Sequence, residues 1–261
     1  MNERVLITGG ASGIGRAIFE RLSEEGYACV VLDRQRPDGS PAGRWIEVDL
    51  SDSVATEQAL AEAVAEGPIT RVVNNVGIVR PAAVEDATFA DLEAVVSINL
   101  RCTLQCAQAL LPGMKQQQFG RIVNISSRVA LGKELRSVYA ATKAGLHGMT
   151  KTWALELGRH GITANAIGPG PIRTSLFEAV NPPDSPRTKA IIDGIPVKRM
   201  GEPSEVAHAV AMFLDRRAGF MTGQVVYVCG GVNVGVAQEG APEVTTRRPR
   251  AWAGDCLRPR S

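Results

Sequence analysis

The sequence has little net charge. Lysine and arginine number 29 against 27 aspartate and glutamate residues, which leaves a net charge of +2 over 261 residues. So small a surplus argues against a protein dedicated to binding nucleic acid, which needs a strongly basic surface. The hydrophobic fraction of 44% and the charged fraction of 21% are near those of globular proteins, which excludes wholesale disorder.

The sequence also has no long apolar run. No stretch approaches 18 consecutive apolar residues, and the N-terminus MNERVLITGG lacks the apolar segment of a secretory signal. We therefore expect no membrane partner and a cytoplasmic protein.

Cysteine is scarce and scattered. Cys29, Cys102, Cys106, Cys229 and Cys256 form no disulfide framework in a chain of this length. Cys102 and Cys106 have the i,i+4 spacing of a helix face, but no second Cys or His pair stands at ligand spacing. We expect small core residues at these two positions, and no metal site.

Histidine is rarer still. His147, His160 and His208 each lie in a predicted helix or at its end, and the sequence places none of them beside a candidate nucleophile. No Gly-x-Ser-x-Gly motif is present. This pattern argues against a hydrolase with a Ser-His-Asp triad.

Short apolar segments alternate with longer helical patterns along the chain. Seven segments predict strands buried on both faces, as in a parallel sheet: 5–7, 29–32, 46–48, 72–73, 122–125, 163–167 and 225–228. Helical patterns cover about 13–26, 54–66, 88–118, 139–160 and 204–215. This alternation predicts a single α/β domain with a doubly wound, parallel, seven-stranded sheet of the Rossmann type.

Two segments interrupt this alternation. Residues 174–200 are rich in proline without a long periodic run, which predicts a functional loop such as a lid, or else a surface insertion. Residues 240–261 carry five arginines against Glu243 and Asp255 and contain two Arg-Pro dipeptides, and we expect a disordered tail there.

A glycine-rich turn follows the first strand and opens a helix. Gly9 allows a sharp turn, Gly13 allows close approach of a ligand, and Gly15 allows the helix to pack closely on the sheet. The amino end of that helix is suited to bind a pyrophosphate. Asp33, at the end of the second strand, is suited to bind ribose hydroxyls and repel a 2′-phosphate, although Arg34 and Arg36 could receive one.

Tyr139 and Lys143 are four residues apart in a predicted helix and therefore share a face. An ammonium beside a phenol favours the phenolate, which predicts a lowered pKa for Tyr139 and a use in proton transfer. Ser126 and Ser127 follow the fifth predicted strand at its carboxyl end, where open α/β sheets bind ligands.

Taken together, these motifs resemble the short-chain dehydrogenase/reductase family over about residues 3–237. The motifs that carry the resemblance are, in chain order, Thr8-Gly9-Gly10-Ala11-Ser12-Gly13-Ile14-Gly15, Asp33, Asp49-Leu50, Asn74-Asn75-Val76-Gly77, Asn99, Asn124-Ile125-Ser126-Ser127, Tyr139-x3-Lys143, Pro169-Gly170-x-Ile172-x-Thr174 and Gly230-Gly231. Val76 and Cys229 stand where the family usually has Ala and Asp, and neither touches the expected chemistry.

The resemblance implies catalytic roles. Tyr139 would be the general acid/base, Lys143 would bind the nicotinamide ribose and lower the pKa of the tyrosine, and Asn99 would hold a water of a proton relay. Ser127 or Ser126, which stand 12 and 13 residues before Tyr139, would orient the substrate carbonyl. Alignment on the strand end favours Ser127.

The resemblance also implies a cofactor site. Asp49 would contact the adenine, and Ile172 with Thr174 would hold the carboxamide. The implied cofactor-binding residues are Thr8, Gly9, Ser12, Gly13, Ile14, Gly15, Asp33, Asp49, Leu50, Asn75, Gly77, Tyr139, Lys143, Pro169, Gly170, Ile172 and Thr174.

The family's activity would be transfer of a hydride between NAD(P) and a secondary alcohol or ketone, here with NAD preferred over NADP. The substrate would be either a small hydroxy or oxo compound or a 3-oxoacyl thioester, under a lid at about 175–200. A homotetramer or homodimer would form through the helices around 100–118 and 140–160. The alternative is a catalytically silent dinucleotide-sensing protein, which we would expect to lack Tyr139 or Lys143.

Overall fold

A computed structural model of the chain describes residues 3–37 and 43–234. Seven strands form one sheet in the order β3-β2-β1-β4-β5-β6-β7, and every neighbouring pair is parallel. The strands are β1 (Arg4–Thr8), β2 (Ala28–Asp33), β3 (Arg44–Glu47), β4 (Arg71–Asn74), β5 (Gly120–Ile125), β6 (Ile162–Pro169) and β7 (Val225–Val228). The predicted single α/β domain with a seven-stranded parallel sheet is confirmed.

Eight α-helices accompany the strands in the described residues. They are α1 (Gly13–Glu24), α2 (Ser53–Ala65), α3 (Phe89–Val96), α4 (Cys102–Gln116), α5 (Ser137–Leu157), α6 (Ser175–Val180), α7 (Pro186–Asp193) and α8 (Pro203–Leu214). Six of them match the five predicted helical patterns to within a few residues, α3 and α4 together forming the third pattern.

Successive strand residues point to opposite faces of the sheet and build two cores. On one face Leu6 packs with apolar side chains of α2, α4 and α5. On the other face Val5 and Ile7 pack with apolar side chains of α1 and α8. Because both faces are covered, the strands are apolar without alternation, as the sequence pattern predicts.

Helices α3 and α4 are continuous through a π-helical turn over Ser97–Arg101. The whole helix, Phe89–Gln116, passes a test of length and composition for a membrane span, although no uninterrupted apolar run of that length exists. One such helix is weak evidence for a membrane span, because the core helix of a soluble protein can have the same length and composition. Cys102 and Cys106 lie in the core on this helix, as expected.

The proline-rich segment contains two short helices, α6 and α7, which the sequence pattern did not indicate. Residues 181–185 between them form the expected turn, and Pro186 is the first residue of α7, where a missing N–H costs nothing. The tail predicted at 240–261, like Cys256, lies outside the described residues. Among the described residues, no group of three or more His, Cys, Asp or Glu side chains is placed to hold a metal ion.

Candidate active site

A cleft of about 340 Å³ opens at the carboxyl edge of the sheet, where the chain order reverses between β1 and β4. Such a crevice is where open α/β sheets bind ligands. Eleven of the residues proposed from the sequence line it: Gly9, Ser12, Gly13, Ile14, Gly15, Asp33, Asp49, Leu50, Asn75, Gly77 and Thr174. Arg34, Val48, Val76, Ile78, Ile98 and Ser175 complete the lining.

The glycine loop has the backbone that its sequence requires. Gly9 and Gly13 have φ angles of 70° and 53°, which favour glycine. A Cβ at Gly15 would stand 1.9 Å from the carbonyl oxygen of Gly9, so no side chain fits there. The Ser12 side chain makes no capping hydrogen bond to α1, which leaves the amino end of that helix open to a ligand.

Asp33 stands where β2 ends, beside the glycine loop. The N–H of Ala11 donates a hydrogen bond to its Oδ2 at 2.9 Å, so the carboxylate also fixes the loop. Arg34 lines the same cleft. At the far end, hydrogen bonds from Ser51 lower the pKa of the exposed Asp49 carboxyl. The cleft thus carries carboxylates at its β2–β3 end.

Thr8 and Asn75 tie the ends of β1 and β4 together. The Thr8 hydroxyl accepts hydrogen bonds from the backbone N–H groups of Asn75 and Val76 at 3.0 and 3.1 Å. The Asn75 amide donates to the carbonyls of Thr8 and Gly9 at 3.0 and 2.9 Å. Thr8 is 1% exposed and lies beneath the loop, so any effect on a ligand passes through the backbone.

Ser127 and Tyr139 meet at the end of β5. The Ser127 hydroxyl hydrogen-bonds Tyr139 and accepts from the N–H of Val129 at 3.1 Å. Burial raises the pKa of Tyr139, while the hydrogen bond with Ser127 and the charge of Arg136 act in the opposite direction. The sequence predicts a lowered pKa, and in the structure of the chain alone burial outweighs the groups that would lower it.

Lys143 lies one turn along α5 from Tyr139, with its Nζ 5.6 Å from the centre of the phenol ring. It is 3% exposed, and its Nζ donates to the carbonyl of Ile125 at 2.7 Å. Burial lowers the pKa of Lys143 to about 8. The tyrosine and the lysine share a helix face as the spacing predicts.

Ser126 turns away from the site. Its hydroxyl donates to the carbonyl of Lys143 at 2.8 Å and lies 2.7 Å from Nε2 of His147. The expectation that no histidine lies beside a candidate nucleophile is therefore wrong, because the fold brings together residues 21 positions apart. The single hydroxyl proton is already donated to Lys143, so His147 donates from Nε2 and is not placed as a base.

Asn99 occupies the π-helical turn and is 1% exposed. Its Oδ1 accepts from the N–H of Ile78 at 2.9 Å, and its Nδ2 donates to the carbonyl of Ile78 and to Thr142 Oγ1. A Cβ added to Gly77 would stand 3.2 Å from Lys143 Nζ and 3.3 Å from Asn99 Oδ1. Asn99, Lys143 and the Gly77 backbone therefore converge beside the cleft.

A buried polar chain supports this corner from below. Asn74 at the end of β4 donates to Asn124 Oδ1 at 2.8 Å, and Asn124 donates to Thr150 Oγ1 at 2.9 Å. These hydrogen bonds connect β4, β5 and α5, the three elements that place Gly77, Ser127 and Lys143. Buried networks of this kind hold the elements in one arrangement.

Four predicted cofactor-binding residues, Pro169, Gly170, Ile172 and Thr174, stand at the end of β6 and just after it, and they separate in the structure. Thr174 lines the cleft, and its hydroxyl caps α6 by accepting from the N–H of Phe177 at 3.2 Å. Ile172 is buried and lines a second cavity of about 180 Å³. Pro169 and Gly170 line neither cavity. The backbone of Gly170 packs on Cys229 so closely that a Cβ would stand 2.7 Å from the Cys229 Cα.

Five lining residues, Val48, Val76, Ile78, Ile98 and Ser175, were not among the predicted site residues, and Arg34 was considered only as a rival ligand for a 2′-phosphate. Val48, Val76, Ile78 and Ile98 are apolar residues next in sequence to predicted site residues. Their positions next to Asp49, Gly77 and Asn99 in the sequence could have identified them. Ser175 likewise follows a predicted site residue, Thr174, directly.

Comparison with known proteins places the chain in a family. The sequence profile described as enoyl-(acyl carrier protein) reductase matches residues 9–233. The hydroxy(phenyl)methylsuccinyl-CoA dehydrogenase subunit BbsD from Thauera aromatica is 35% identical over 241 residues, which cover 88% of this chain and 96% of the relative.

Solved structures agree with this assignment. Levodione reductase is 34% identical, with a TM-score of 0.82 over 89% of this chain and 98% of the other. A gluconate 5-dehydrogenase from Burkholderia cenocepacia, solved with NADP and tartrate, is 30% identical, with a TM-score of 0.82 over 90% and 97% of the two chains. The chain belongs to the short-chain dehydrogenase/reductase family, and it is an NAD(P)-dependent oxidoreductase that transfers a hydride.

Proposed function

We propose that the chain interconverts a ketone and a secondary alcohol, with Tyr139 exchanging the proton and Ser127 orienting the carbonyl. The observation that carries this proposal is the meeting of Ser127, Tyr139 and Lys143 at the end of β5, beside the cleft. Lys143 supplies a positive charge near the phenol, and Asn99 holds the Gly77–Ile78 backbone against α5. The nicotinamide supplies or accepts the hydride when it is bound.

The cleft fits a dinucleotide. The uncapped amino end of α1 and the positive φ angles of Gly9 and Gly13 suit a pyrophosphate. Asp33 suits the adenosine ribose. We propose that Asp49 and Leu50 bind the adenine side, and that Lys143 and Thr174 bind the nicotinamide side. Thr8, Pro169, Gly170 and Ile172 would then act by shaping the backbone.

The protonation states of Tyr139 and Lys143 favour carbonyl reduction over alcohol oxidation near neutral pH. A phenol whose pKa is raised stays protonated and is ready to donate to a carbonyl oxygen. Lys143, with its pKa at about 8, keeps its charge below that pH and favours the developing phenolate. We infer that carbonyl reduction dominates near neutrality and that alcohol oxidation gains as the pH rises.

The substrate is a small oxo compound or a 3-oxoacyl thioester. The name of BbsD supports a CoA thioester, and the name of levodione reductase supports a small ketone. A panel tests the reaction class: carbonyls of both kinds with NADH and with NADPH, and the matching alcohols with the oxidised cofactors. Cofactor binding without turnover on every member would favour a dinucleotide-sensing protein instead.

Asp33 should set cofactor choice, with NAD preferred over NADP. Asp33→Asn removes the negative charge but keeps an acceptor for the N–H of Ala11. We expect the ratio of kcat/KM for NAD to that for NADP to fall by at least about tenfold, with Arg34 available for the 2′-phosphate. A native enzyme with the higher kcat/KM on NADP would show that Arg34 and Arg36 dominate. The similar gluconate 5-dehydrogenase was solved with NADP, so resemblance to it does not decide the outcome of this measurement in advance.

The two adjacent serines should differ in their effect on turnover. Ser127→Ala removes the group that faces Tyr139 and should lower kcat by about tenfold or more, and the lost hydrogen bond from the N–H of Val129 should cost about 1 kcal/mol of stability. Ser126→Ala removes the hydrogen bonds to the Lys143 carbonyl and to His147, which should cost about 1 kcal/mol of stability and leave kcat close to native. Turnover at saturating substrate and urea unfolding measure both. A larger loss of kcat for Ser126→Ala would reverse the assignment.

We propose a homotetramer or homodimer built through α4 and α5. Leu104 on α4 and Leu155 on α5 are 40% and 87% exposed, which supports burial of these helices in an assembly. Light scattering after gel filtration measures the mass. We further propose that residues 175–200, with α6 and α7, cover the substrate, and that the protein is cytoplasmic.

A further inference from the structure

The π-helical turn between α3 and α4 contacts more than one part of the cleft. Asn99 in this turn stands with Lys143 beside Gly77, and Ile98 lines the cleft itself. Arg101 is the last residue of the turn, two positions beyond Asn99. Residues two apart point to nearly opposite sides of a helix, so Arg101 extends away from the corner that holds Lys143. A π-turn inside a longer helix often marks a functional site.

Arg101 contacts the loop that follows β3. Its Nη2 donates a hydrogen bond to the carbonyl oxygen of Ser51. The backbone N–H of Ser51 in turn donates to Oδ1 of Asp49 at 2.9 Å, and the N–H of Asp52 donates to the carbonyl of Asp49 at 3.0 Å. These three hydrogen bonds fix residues 49–52, which we call the adenine-side loop.

Stability alone does not explain the side chain of Arg101. Its Nε is buried without a hydrogen-bond partner, and no carboxylate within residues 3–37 and 43–234 forms an ion pair with it. A buried donor without a partner lowers stability. Arg121, by contrast, donates from all three of its nitrogens to backbone carbonyls. The hydrogen bond to the adenine-side loop, strengthened by the positive charge, is therefore the contact that accounts for Arg101.

We propose that Arg101 is a positioning residue for the cofactor, which holds the adenine-side loop so that Asp49 and Leu50 meet the adenine. This rests on the proposed function, which assigns those two residues to the adenine side. Leu50 is 3% exposed and Asp49 is exposed, and both line the cleft. Binding costs less free energy when the contacting groups are already held in place. Arg101 therefore raises affinity for the adenosine half and leaves proton transfer at Tyr139 unaffected.

Binding of ADP-ribose, which has the adenosine and the pyrophosphate but no nicotinamide, tests the proposal. Its 2′-phosphate replaces it if NADP is the preferred cofactor. Calorimetry with the full chain measures Kd, and reduction of a carbonyl from the substrate panel at varied reduced cofactor measures KM and kcat. Arg101→Met should weaken ADP-ribose binding and raise the cofactor KM by about tenfold, with kcat within about twofold of native. Arg101→Lys keeps a cationic donor and should recover most of the affinity.

A double-mutant cycle with Asp49→Ala shows whether Arg101 acts through the loop. Asp49→Ala alone should weaken ADP-ribose binding by about fivefold or more. In Arg101→Met the loop is no longer held, so the same change should cost little, and the two losses should not multiply. Gln105→Met is the matched control, because Gln105 donates from the same helix at 2.9 Å to the carbonyl of Ser53, beyond the loop. It should leave Kd within about twofold of native.

Native affinity for ADP-ribose in Arg101→Met would overturn the proposal. So would losses that multiply in the double variant, an equal loss in Gln105→Met, or a fall in kcat as large as the rise in KM. Failure of the proposed function looks different, because the native chain would then not bind ADP-ribose at all. Urea unfolding checks each variant, and Arg101→Gln, which keeps an uncharged donor, takes the place of Arg101→Met if the methionine variant does not fold.

Discussion

Tyr139→Phe should lower kcat by about 10²–10⁴-fold while leaving the fold and cofactor affinity nearly unchanged. The change removes one oxygen and keeps the half-buried ring. The reaction loses the group that donates or accepts the proton. Single-turnover rates with each reduced cofactor measure the chemical step directly, and fluorescence titration measures cofactor binding.

Tyr27 and Tyr227 offer control substitutions, since neither lines the cleft. Tyr27→Phe should retain native kcat, because that phenol lies over Arg71, away from the site. Retention of more than about a tenth of native turnover in Tyr139→Phe would show that another group donates the proton. A loss of cofactor affinity as large as the loss of rate would show that the phenol acts mainly in binding.

Lys143→Met should lower kcat by about 10²-fold and weaken cofactor binding. Methionine has similar length, so the change removes the charge without opening a large cavity. An ammonium 5.6 Å from the centre of the phenol ring favours the phenolate, so we expect its removal to raise the pKa of Tyr139. The pH profile of alcohol oxidation should therefore move to higher pH, a shift that Ser127→Ala should not produce.

Lys143→Met should also change how the free energy of unfolding depends on pH. In the unfolded chain Lys143 holds its proton up to its ordinary pKa of 10.5, but in the folded chain only up to about 8. Between these values the unfolded state binds more protons, so this group makes the native protein more stable as the pH rises. Below about pH 8 the cost of the buried charge is present in full.

Native protein should therefore gain about 2 kcal/mol relative to Lys143→Met between about pH 7 and about pH 9.5. Urea unfolding at the two pH values measures this difference, and groups shared by both proteins cancel. Lys115→Met, which removes an exposed lysine, should show no such difference from native. An equal pH dependence in native and Lys143→Met would mean that the buried ammonium is not desolvated.

Sequence patterns could not decide which of the two adjacent serines faces Tyr139. Ser126 and Ser127 both stand after β5, and spacing to Tyr139 permits either. Adjacent residues in extended backbone point in opposite directions, so the packing of α5 against the end of β5 decides which one meets the phenol. The structure turns Ser127 toward Tyr139 and Ser126 toward Lys143 and His147.

The sequence alone determined the parallel sheet, the glycine loop and the pairing of Tyr139 with Lys143. These depend on local properties: continuous apolar strands, backbone angles open to glycine, and the repeat of a helix. Tertiary structure decided the contact of His147 with Ser126 and the raised pKa of Tyr139. Each of these depends on burial or on contact between distant residues, and local sequence patterns carry neither.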